Sequence, residues 1–140
     1  MLGSCVAVTM YGQKLGIAAI CHAMLPACRT PEACTDRCLE RYKYVGCAVP
    51  EMIRWMRRYK MAARDIQVKV FGGADMISSL TRKETLQPVG GQNLAAARSA
   101  LAKAGMRIMA EDTGGAVGRK IHFRTDTGEV FLKRLGKKKS

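Results

Sequence analysis

The chain is poor in long apolar runs and in aromatic side chains, and each shortage argues against a class of protein. No uninterrupted apolar run approaches the ~18 residues that a membrane-spanning helix needs, and the first residues lack the charged-then-apolar layout of a secretory signal. We therefore expect no membrane insertion and a cytoplasmic protein. Phe, Trp and Tyr make up 6% of the residues and form no pattern suited to base stacking, so specific nucleic-acid binding is not expected.

Acidic residues are also scarce: the 140 residues contain 11 Asp and Glu against 24 Lys and Arg, a formal net charge of +13. Such a charge attracts acidic proteins, anionic membrane surfaces and nucleic acids, although it does not determine a fold. A solvated helix face and a basic chain end account for it equally well. A nucleic-acid-binding module stays an alternative, which a steep loss of DNA or RNA binding with rising salt would support.

Tight Cys-x2-Cys pairs, the persuasive mark of a zinc site, are absent although the chain has six cysteines. Four of them cluster in one stretch, with Cys21 close by: Cys28, Cys34, Cys38 and Cys47. A chain without a secretory signal is expected to keep its thiols reduced. We therefore predict oxidation-sensitive loop thiols here, rather than a disulfide framework or a metal site.

At 140 residues the chain is long enough to bury a core without disulfides or metals. We predict one domain over residues 1–136, followed by a basic tail over residues 137–140. Apolar runs on either side of Tyr11–Lys14 predict a strand hairpin, and runs on either side of Thr125–Gly128 predict a second one. Between the hairpins, the apolar and polar alternation of Ile66–Val70 predicts a half-buried strand.

Two helices complete the expected fold. An amphipathic helix is predicted from Pro50 onward, because apolar side chains recur at helical spacing at Ile53, Met56 and Tyr59. Asn93 is predicted to cap the N-terminus of a second helix. Strands outnumber helices and pair locally, so we predict an α/β fold with mixed, largely antiparallel, sandwich-like sheets and two or three packed helices.

A cysteine and a histidine occupy related positions in the first hairpin, since Cys5 opens its first strand and His22 closes its second. A free cysteine, with a pKa of about 8.5, is only a few per cent thiolate at neutral pH. A nearby imidazole accepts the proton or stabilises the thiolate as an ion pair, which makes the sulfur a nucleophile. Gly3 permits close approach of a substrate, and the amides around Ser4 and Cys5 suit a developing oxyanion. A buried structural cysteine and a structural histidine are the alternative interpretation.

Four blocks of sequence occur in an order that is typical of one protein family. They are Leu2-Gly3-Ser4-Cys5-Val6-Ala7-Val8, His22-Ala23-Met24-Leu25-Pro26, Phe71-Gly72-Gly73-Ala74-Asp75-Met76, and Glu111-Asp112-Thr113-Gly114-Gly115 with Gly118-Arg119-Lys120. On these blocks, which extend over nearly the whole chain, the sequence resembles the CheD family of chemoreceptor glutamine deamidases. Four ordered blocks in 140 residues are far more specific than any one motif.

The resemblance implies hydrolysis of a receptor glutamine side chain to glutamate, with release of ammonia. Cys5 is then the nucleophile and His22 the proton carrier, the intermediate is a thioester, and neither a metal nor an organic cofactor is needed. Thr113, from the fourth block, is expected as a supporting residue in addition to Gly3 and Ser4. The implied partners are chemoreceptor cytoplasmic domains, where an acidic helical target would suit a basic enzyme, and a CheC-type phosphatase.

The family usually carries a threonine a few residues before the cysteine, which orients the histidine, and this sequence begins too close to Cys5 to contain it. We expect the strand with that threonine to precede the sequence given. A shortened, impaired member, with Ser4 or Thr9 as substitute, is the alternative. Two other functions stay open: a cysteine amidase with another substrate, and a non-catalytic protein that binds receptors or phosphatase.

Overall fold

A computed structural model of the chain describes residues 1–28, 39–76 and 87–136. Within these ranges the strands and helices follow in the order β1 (Val6–Gly12), β2 (Ile17–Ala23), α1 (Val45–Arg58), β3 (Ile66–Gly72), α2 (Val89–Lys103), β4 (Ile108–Thr113), β5 (Gly118–Phe123) and β6 (Val130–Leu135). The predicted α/β class is confirmed, and the predicted basic tail over 137–140 lies outside the described residues. None of the helices in the described ranges has the length and apolar character to cross a membrane.

Strands β2, β1, β3 and β4 form a four-stranded sheet in that order, and β5 and β6 form a separate two-stranded sheet. The pairs β1–β2, β1–β3 and β5–β6 are antiparallel, whereas β3 and β4 run parallel. Both predicted hairpins and the largely antiparallel pairing are thereby confirmed. The term sandwich fits only loosely, because the second layer is a single hairpin.

The four-stranded sheet separates two apolar layers. Because side chains alternate along a strand, Val6, Val8 and Met10 of β1 lie on one face, where they pack with buried side chains of α1 and α2. Ala7 lies on the other face and packs with Phe71, beneath apolar side chains of β5 and β6. The order of layers is therefore helices, sheet, hairpin.

Helix α1 begins earlier than predicted. It starts at Val45 instead of Pro50, which lies in its second turn. The first turn is stabilised by a 2.8 Å hydrogen bond from the Ala48 N–H to the Tyr44 carbonyl and by the burial of Val45 and Ala48. The stability gained from these contacts outweighs the loss of one helical hydrogen bond at Pro50, since proline has no N–H to donate. The placement of Tyr59 on the buried stripe is also wrong, because this residue caps the helix C-terminus and is 47% exposed.

Helix α2 likewise begins before its predicted start. It starts at Val89, so Asn93 lies inside the helix, where it is fully buried. The predicted N-cap at Asn93 is therefore wrong, since tertiary packing extends the helix by one turn. Asn93, Ala97 and Leu101 are spaced by four residues and form the buried stripe. The chain leaves the helix at Gly105, whose φ of +70° suits a helix end.

The N-terminus of α2 approaches the turn that follows β3 very closely. A Cβ on Gly90 would overlap the carbonyl oxygens of Gly73 and Ala74. At the last residue of β3, Gly72 has a φ of +101°, and a Cβ there would overlap the carbonyl oxygen of Cys5. The turn therefore brings the start of α2 and the residues before β1 together.

The variant Gly90→Ala is expected to destabilise the fold by about 1–3 kcal/mol, because its methyl group has no room unless the turn moves. Gly91→Ala is the matched control: a Cβ there would lie 3.5 Å from the Gln87 side chain, an ordinary contact. In a helix, alanine is more stable than glycine by about 0.5–1 kcal/mol. The urea midpoint of unfolding should fall for the first variant and stay level or rise for the second. Equal midpoints would contradict the close approach.

Candidate active site

The strand register brings Cys5 and His22 to the same face of the sheet. Ala7 of β1 lies directly opposite His22 of β2, and directly opposite residues share a face. Cys5 precedes Ala7 by two residues, and its side chain packs in the same apolar cluster, with Leu2 and Phe71. The thiol and the imidazole therefore lie on the same face of the sheet, at the end of the β1–β2 pairing.

The two side chains differ in their exposure to solvent. Cys5 is half-buried, whereas His22 lies on the edge strand β2 and is exposed. Desolvation by neighbouring protein atoms, followed by the positive charge of the chain's amino terminus, holds the pKa of His22 below its ordinary value. A lowered pKa keeps the imidazole neutral at neutral pH, and the neutral form is the one that accepts a proton.

The segment before β1 is held by the turn that follows β3. The Gly3 carbonyl accepts a hydrogen bond from the Ala74 N–H at 3.0 Å, and the Cys5 carbonyl accepts one from the Gly73 N–H at 2.9 Å. These bonds continue the pairing of β1 and β3 past the last paired residues of the two strands. The main chain on both sides of the thiol therefore has a defined orientation.

Asn93 of α2 connects the cysteine strand with the histidine strand. Its Nδ2 donates to the Ser4 carbonyl at 2.9 Å and to the Met24 carbonyl at 3.0 Å. Ser4 directly precedes Cys5, and Met24 follows His22 by two residues. One buried amide thus contacts the main chain next to each of the two candidate catalytic residues.

Thr113, the predicted supporting residue, takes part in a polar network on the surface. Its hydroxyl donates to Glu111 at 3.0 Å and accepts from the Arg98 guanidinium at 3.5 Å. The hydrogen bond from Arg98 also holds the pKa of Glu111 below its ordinary value. Because Arg98 lies on α2, the contacts of Thr113 are with the helix layer, whereas Cys5 packs on the opposite face of the sheet.

Asp112 and Arg119, from the same sequence block, form an ion pair that helps to hold the N-terminal segment in place. Arg119 is only 4% exposed and donates to Asp112 at 2.6 Å. Its guanidinium also donates to the Gly114 carbonyl at 2.9 Å and to the Gly72 carbonyl at 3.5 Å. Two main-chain hydrogen bonds, at 2.6 and 2.8 Å, join Arg119 to Leu2. The arginine therefore ties the N-terminal segment to both glycine-containing turns.

The two substitutes considered for the family's threonine lie in different surroundings. Thr9 is buried and lies opposite Ile20, on the face that carries His22. The Ser4 carbonyl accepts a hydrogen bond from Asn93 of α2, on the helix side of the sheet. A role for either residue in orienting the histidine stays a prediction.

Four of the six cysteines lie in the described part of the chain: Cys5, Cys21, Cys28 and Cys47. Cys34 and Cys38 of the predicted cysteine cluster lie outside it. Cys21 is buried, and burial raises the pKa of its thiol to about 11. A thiol in this state is a poor nucleophile at neutral pH.

The sequence of the central and C-terminal parts of the chain matches a known family. A family model described as CheD chemotactic sensory transduction matches residues 24–134. The chain belongs to the CheD family. The matched range begins two residues after His22, so it contains neither His22 nor Cys5.

Curated CheD relatives extend the similarity over nearly the whole chain. It is 39% identical over 137 residues to the "probable chemoreceptor glutamine deamidase CheD 2" of Geobacter sulfurreducens, which covers 98% of this chain and 79% of the relative. It is 36% identical over 138 residues to the CheD protein of Maridesulfovibrio salexigens, covering 98% and 81%. For the CheD protein of Thermococcus kodakarensis the identity is 32% over 134 residues, covering 96% and 80%. Because the first two alignments cover 98% of this chain, they span Cys5 and His22 as well.

Asn93 is the site residue of this CheD protein that the sequence reasoning missed. Its assignment to a helix cap hid the contact with both strands. The available signal was its spacing, since it precedes Ala97 and Leu101 by four and eight residues on an otherwise apolar stripe. A polar side chain in such a position needs a buried partner.

Iodoacetamide is expected to alkylate Cys5 in the native protein, while Cys21 stays unmodified because it is buried and its pKa is raised to about 11. Peptide mass spectrometry after a short reaction at neutral pH measures each thiol. His22→Ala should slow the reaction of Cys5. His122→Ala, which removes the other of the two histidines from an exposed position in β5, is the matched control and should leave the rate unchanged. An unchanged rate in His22→Ala would contradict activation by the imidazole.

Proposed function

We propose that this CheD-family protein deamidates specific glutamine side chains of chemoreceptors to glutamate, with release of ammonia, and so acts as a protein-glutamine glutaminase. The observation that carries the proposal is the strand register, which brings the Cys5 thiol and the His22 imidazole to one face of the sheet. The names of the relatives, chemoreceptor glutamine deamidases, support the choice of substrate.

In the first half of the proposed reaction, the Cys5 thiolate attacks the side-chain carbonyl of the glutamine. His22 accepts the thiol proton and donates it to the amide nitrogen, which leaves as ammonia. The substrate is then bound to Cys5 as a thioester. In the second half, His22 takes a proton from water, the hydroxide attacks the thioester carbonyl, and Cys5 leaves with that proton. Water is consumed, ammonia and glutamate are produced, and the thiol is restored.

The main chain before Cys5 suits the oxyanion of this reaction. In a planar trans peptide the C=O and N–H groups point in opposite directions. Because Asn93 binds the Ser4 carbonyl, the Cys5 N–H is directed away from α2. Because Ala74 binds the Gly3 carbonyl, the Ser4 N–H is directed away from the turn after β3. We propose that these two amides donate to the oxygen that becomes negatively charged in the transition state.

The proposed substrate surface is the cytoplasmic domain of a chemoreceptor, which places the reaction in the cytoplasm. The net charge of +13 favours approach to an acidic helical surface. Ile20 and Met24, which are 48% and 50% exposed, lie on either side of His22 and offer apolar contacts next to the site. The CheC-type phosphatase stays a predicted second partner.

Mixing the protein with a glutamine-bearing chemoreceptor cytoplasmic fragment is expected to release ammonia, and mass spectrometry should find glutamate at specific receptor positions. Cys5→Ala should lower kcat by several orders of magnitude, because the thioester can no longer form. Cys28→Ala, which removes another half-buried free thiol, is the matched control and should retain turnover.

Turnover that survives in Cys5→Ala would rule out the proposed nucleophile. Receptor binding by the wild-type protein without turnover would favour the non-catalytic alternative. Hydrolysis of other amides, with the receptor fragment untouched, would favour an amidase with another substrate. A version extended upstream of Met1 belongs in the same assay, since turnover by that form alone would make the preceding strand essential.

The acid limb of the kcat/KM profile is expected at a pH below the ordinary histidine pKa of about 6.5. The proposed base is neutral His22, and its lowered pKa means that more acid is needed to protonate it. Residues added before Met1 move the positive amino terminus away from His22. The pKa of His22 should then rise, and the acid limb should move to higher pH. A limb centred above about 6.5 would contradict a neutral His22 base with a lowered pKa.

A further inference from the structure

Strands β1 and β2 part at the position of the candidate nucleophile. The last residues in their register are Val6 and Ala23. One residue further, the register would pair Cys5 with Met24. Two residues further it would pair Ser4 with Leu25, but the Leu25 N–H donates to the Lys43 carbonyl at 3.1 Å, so β2 continues away from β1. An opening between the strands results, immediately next to the thiol.

Asn93 lies in this opening. Its Nδ2 bridges the Ser4 carbonyl at 2.9 Å and the Met24 carbonyl at 3.0 Å, one from each of the diverging segments. Two carbonyl oxygens both accept hydrogen bonds and cannot bond to each other, so a group with two N–H donors is what joins them. The same requirement sets the orientation of the amide, because its oxygen would repel both carbonyls.

The cost of burying this amide argues against a role in packing alone. Asn93 is fully buried, and within the described part of the chain its Oδ1 has no hydrogen-bond partner. A buried amide oxygen without a donor is unfavourable, whereas an apolar side chain would pack well on the stripe of Ala97 and Leu101. The amide holds the ends of β1 and β2 at a fixed separation, because it bonds to a carbonyl of each.

We propose that Asn93 is a positioning residue, which sets the geometry of Cys5 and His22 by joining the Ser4 and Met24 carbonyls where β1 and β2 diverge. The inference rests on the proposed function of Cys5 and His22. Asn93 acts through the main chain and does not touch the reacting atoms. It determines the distance between the thiol strand and the imidazole strand, and it turns the Cys5 N–H toward the side where the oxyanion forms.

The proposal places the effect of Asn93 on the chemical step. Its contacts are with the main chain of the site, so its removal should change kcat and leave KM nearly unaltered. A displacement of reacting groups by about 1 Å lowers a rate on the order of 100-fold. We therefore expect Asn93→Ala to reduce kcat for ammonia release by about 100-fold. The same displacement should slow the alkylation of Cys5 by iodoacetamide and alter its dependence on pH.

Leu101→Ala is the matched control for stability, since Leu101 is buried on the same stripe of α2 and packs in the helix-facing core. Both variants are compared at a temperature at which circular dichroism shows them fully folded. The control should lose thermal stability but keep the wild-type kcat and the wild-type alkylation profile of Cys5. Asn93→Ser, which keeps one donor for one of the two carbonyls, covers the case in which Asn93→Ala does not fold, and should fall between wild type and alanine in both readouts.

Wild-type kcat and a wild-type alkylation profile in folded Asn93→Ala or Asn93→Ser would overturn the inference, as would equal losses in Leu101→Ala. Failure of the proposed function gives a different pattern. Wild type and Cys5→Ala would then release equal amounts of ammonia, while the alkylation of Cys5, which needs no substrate, still reports whether Asn93 positions the thiol. A slower reaction in Asn93→Ala would support the positioning role in that case too.

Discussion

Strand β1 is hydrogen-bonded to β2 on one side and to β3 on the other, and all seven of its residues are buried. A shift of register by one residue would turn every side chain to the opposite face, so this double pairing decides which side of the sheet the thiol takes. The same register sets the position of the imidazole, through the pair of Ala7 and His22. The helices can then pack on one face of β1 without covering the site on the other.

The site forms where β1 begins and the regular pairing stops. Segments far apart in the chain meet there: the turn after β3, the start of α2, and Arg119 of β5. Each contributes main-chain or side-chain hydrogen bonds that replace the missing ladder. The close approach of α2 at Gly90 and of the turn at Gly72 explains why these positions have no room for a side chain. An ordered backbone at a strand end is what a nucleophile with an oxyanion site requires.

Local patterns predicted the strands and both hairpins correctly, because strand alternation and turn residues are properties of neighbouring amino acids. The starts of α1 and α2 were predicted wrongly for the opposite reason. Val45 and Val89 begin their helices before any cap signal in the sequence. The first turn of α1 is bound to the Leu25 carbonyl through the Val45 N–H, and that of α2 packs at Gly90 against Gly73 and Ala74. Pro50 and Asn93 therefore carried misleading local signals.

By itself the sequence determined the α/β class, the antiparallel hairpins and the membership of the CheD family, since these depend on periodicity and on ordered motifs. It also pointed to Cys5 and His22, whose placement at the two ends of one hairpin follows from local pairing. Only the tertiary structure decided that Asn93 joins the two strand ends and that Arg119 anchors the N-terminal segment. Asn93 reaches carbonyls 89 and 69 positions away, and Arg119 bonds to Leu2 near the other end of the chain. No local pattern encodes which distant carbonyl a buried donor reaches.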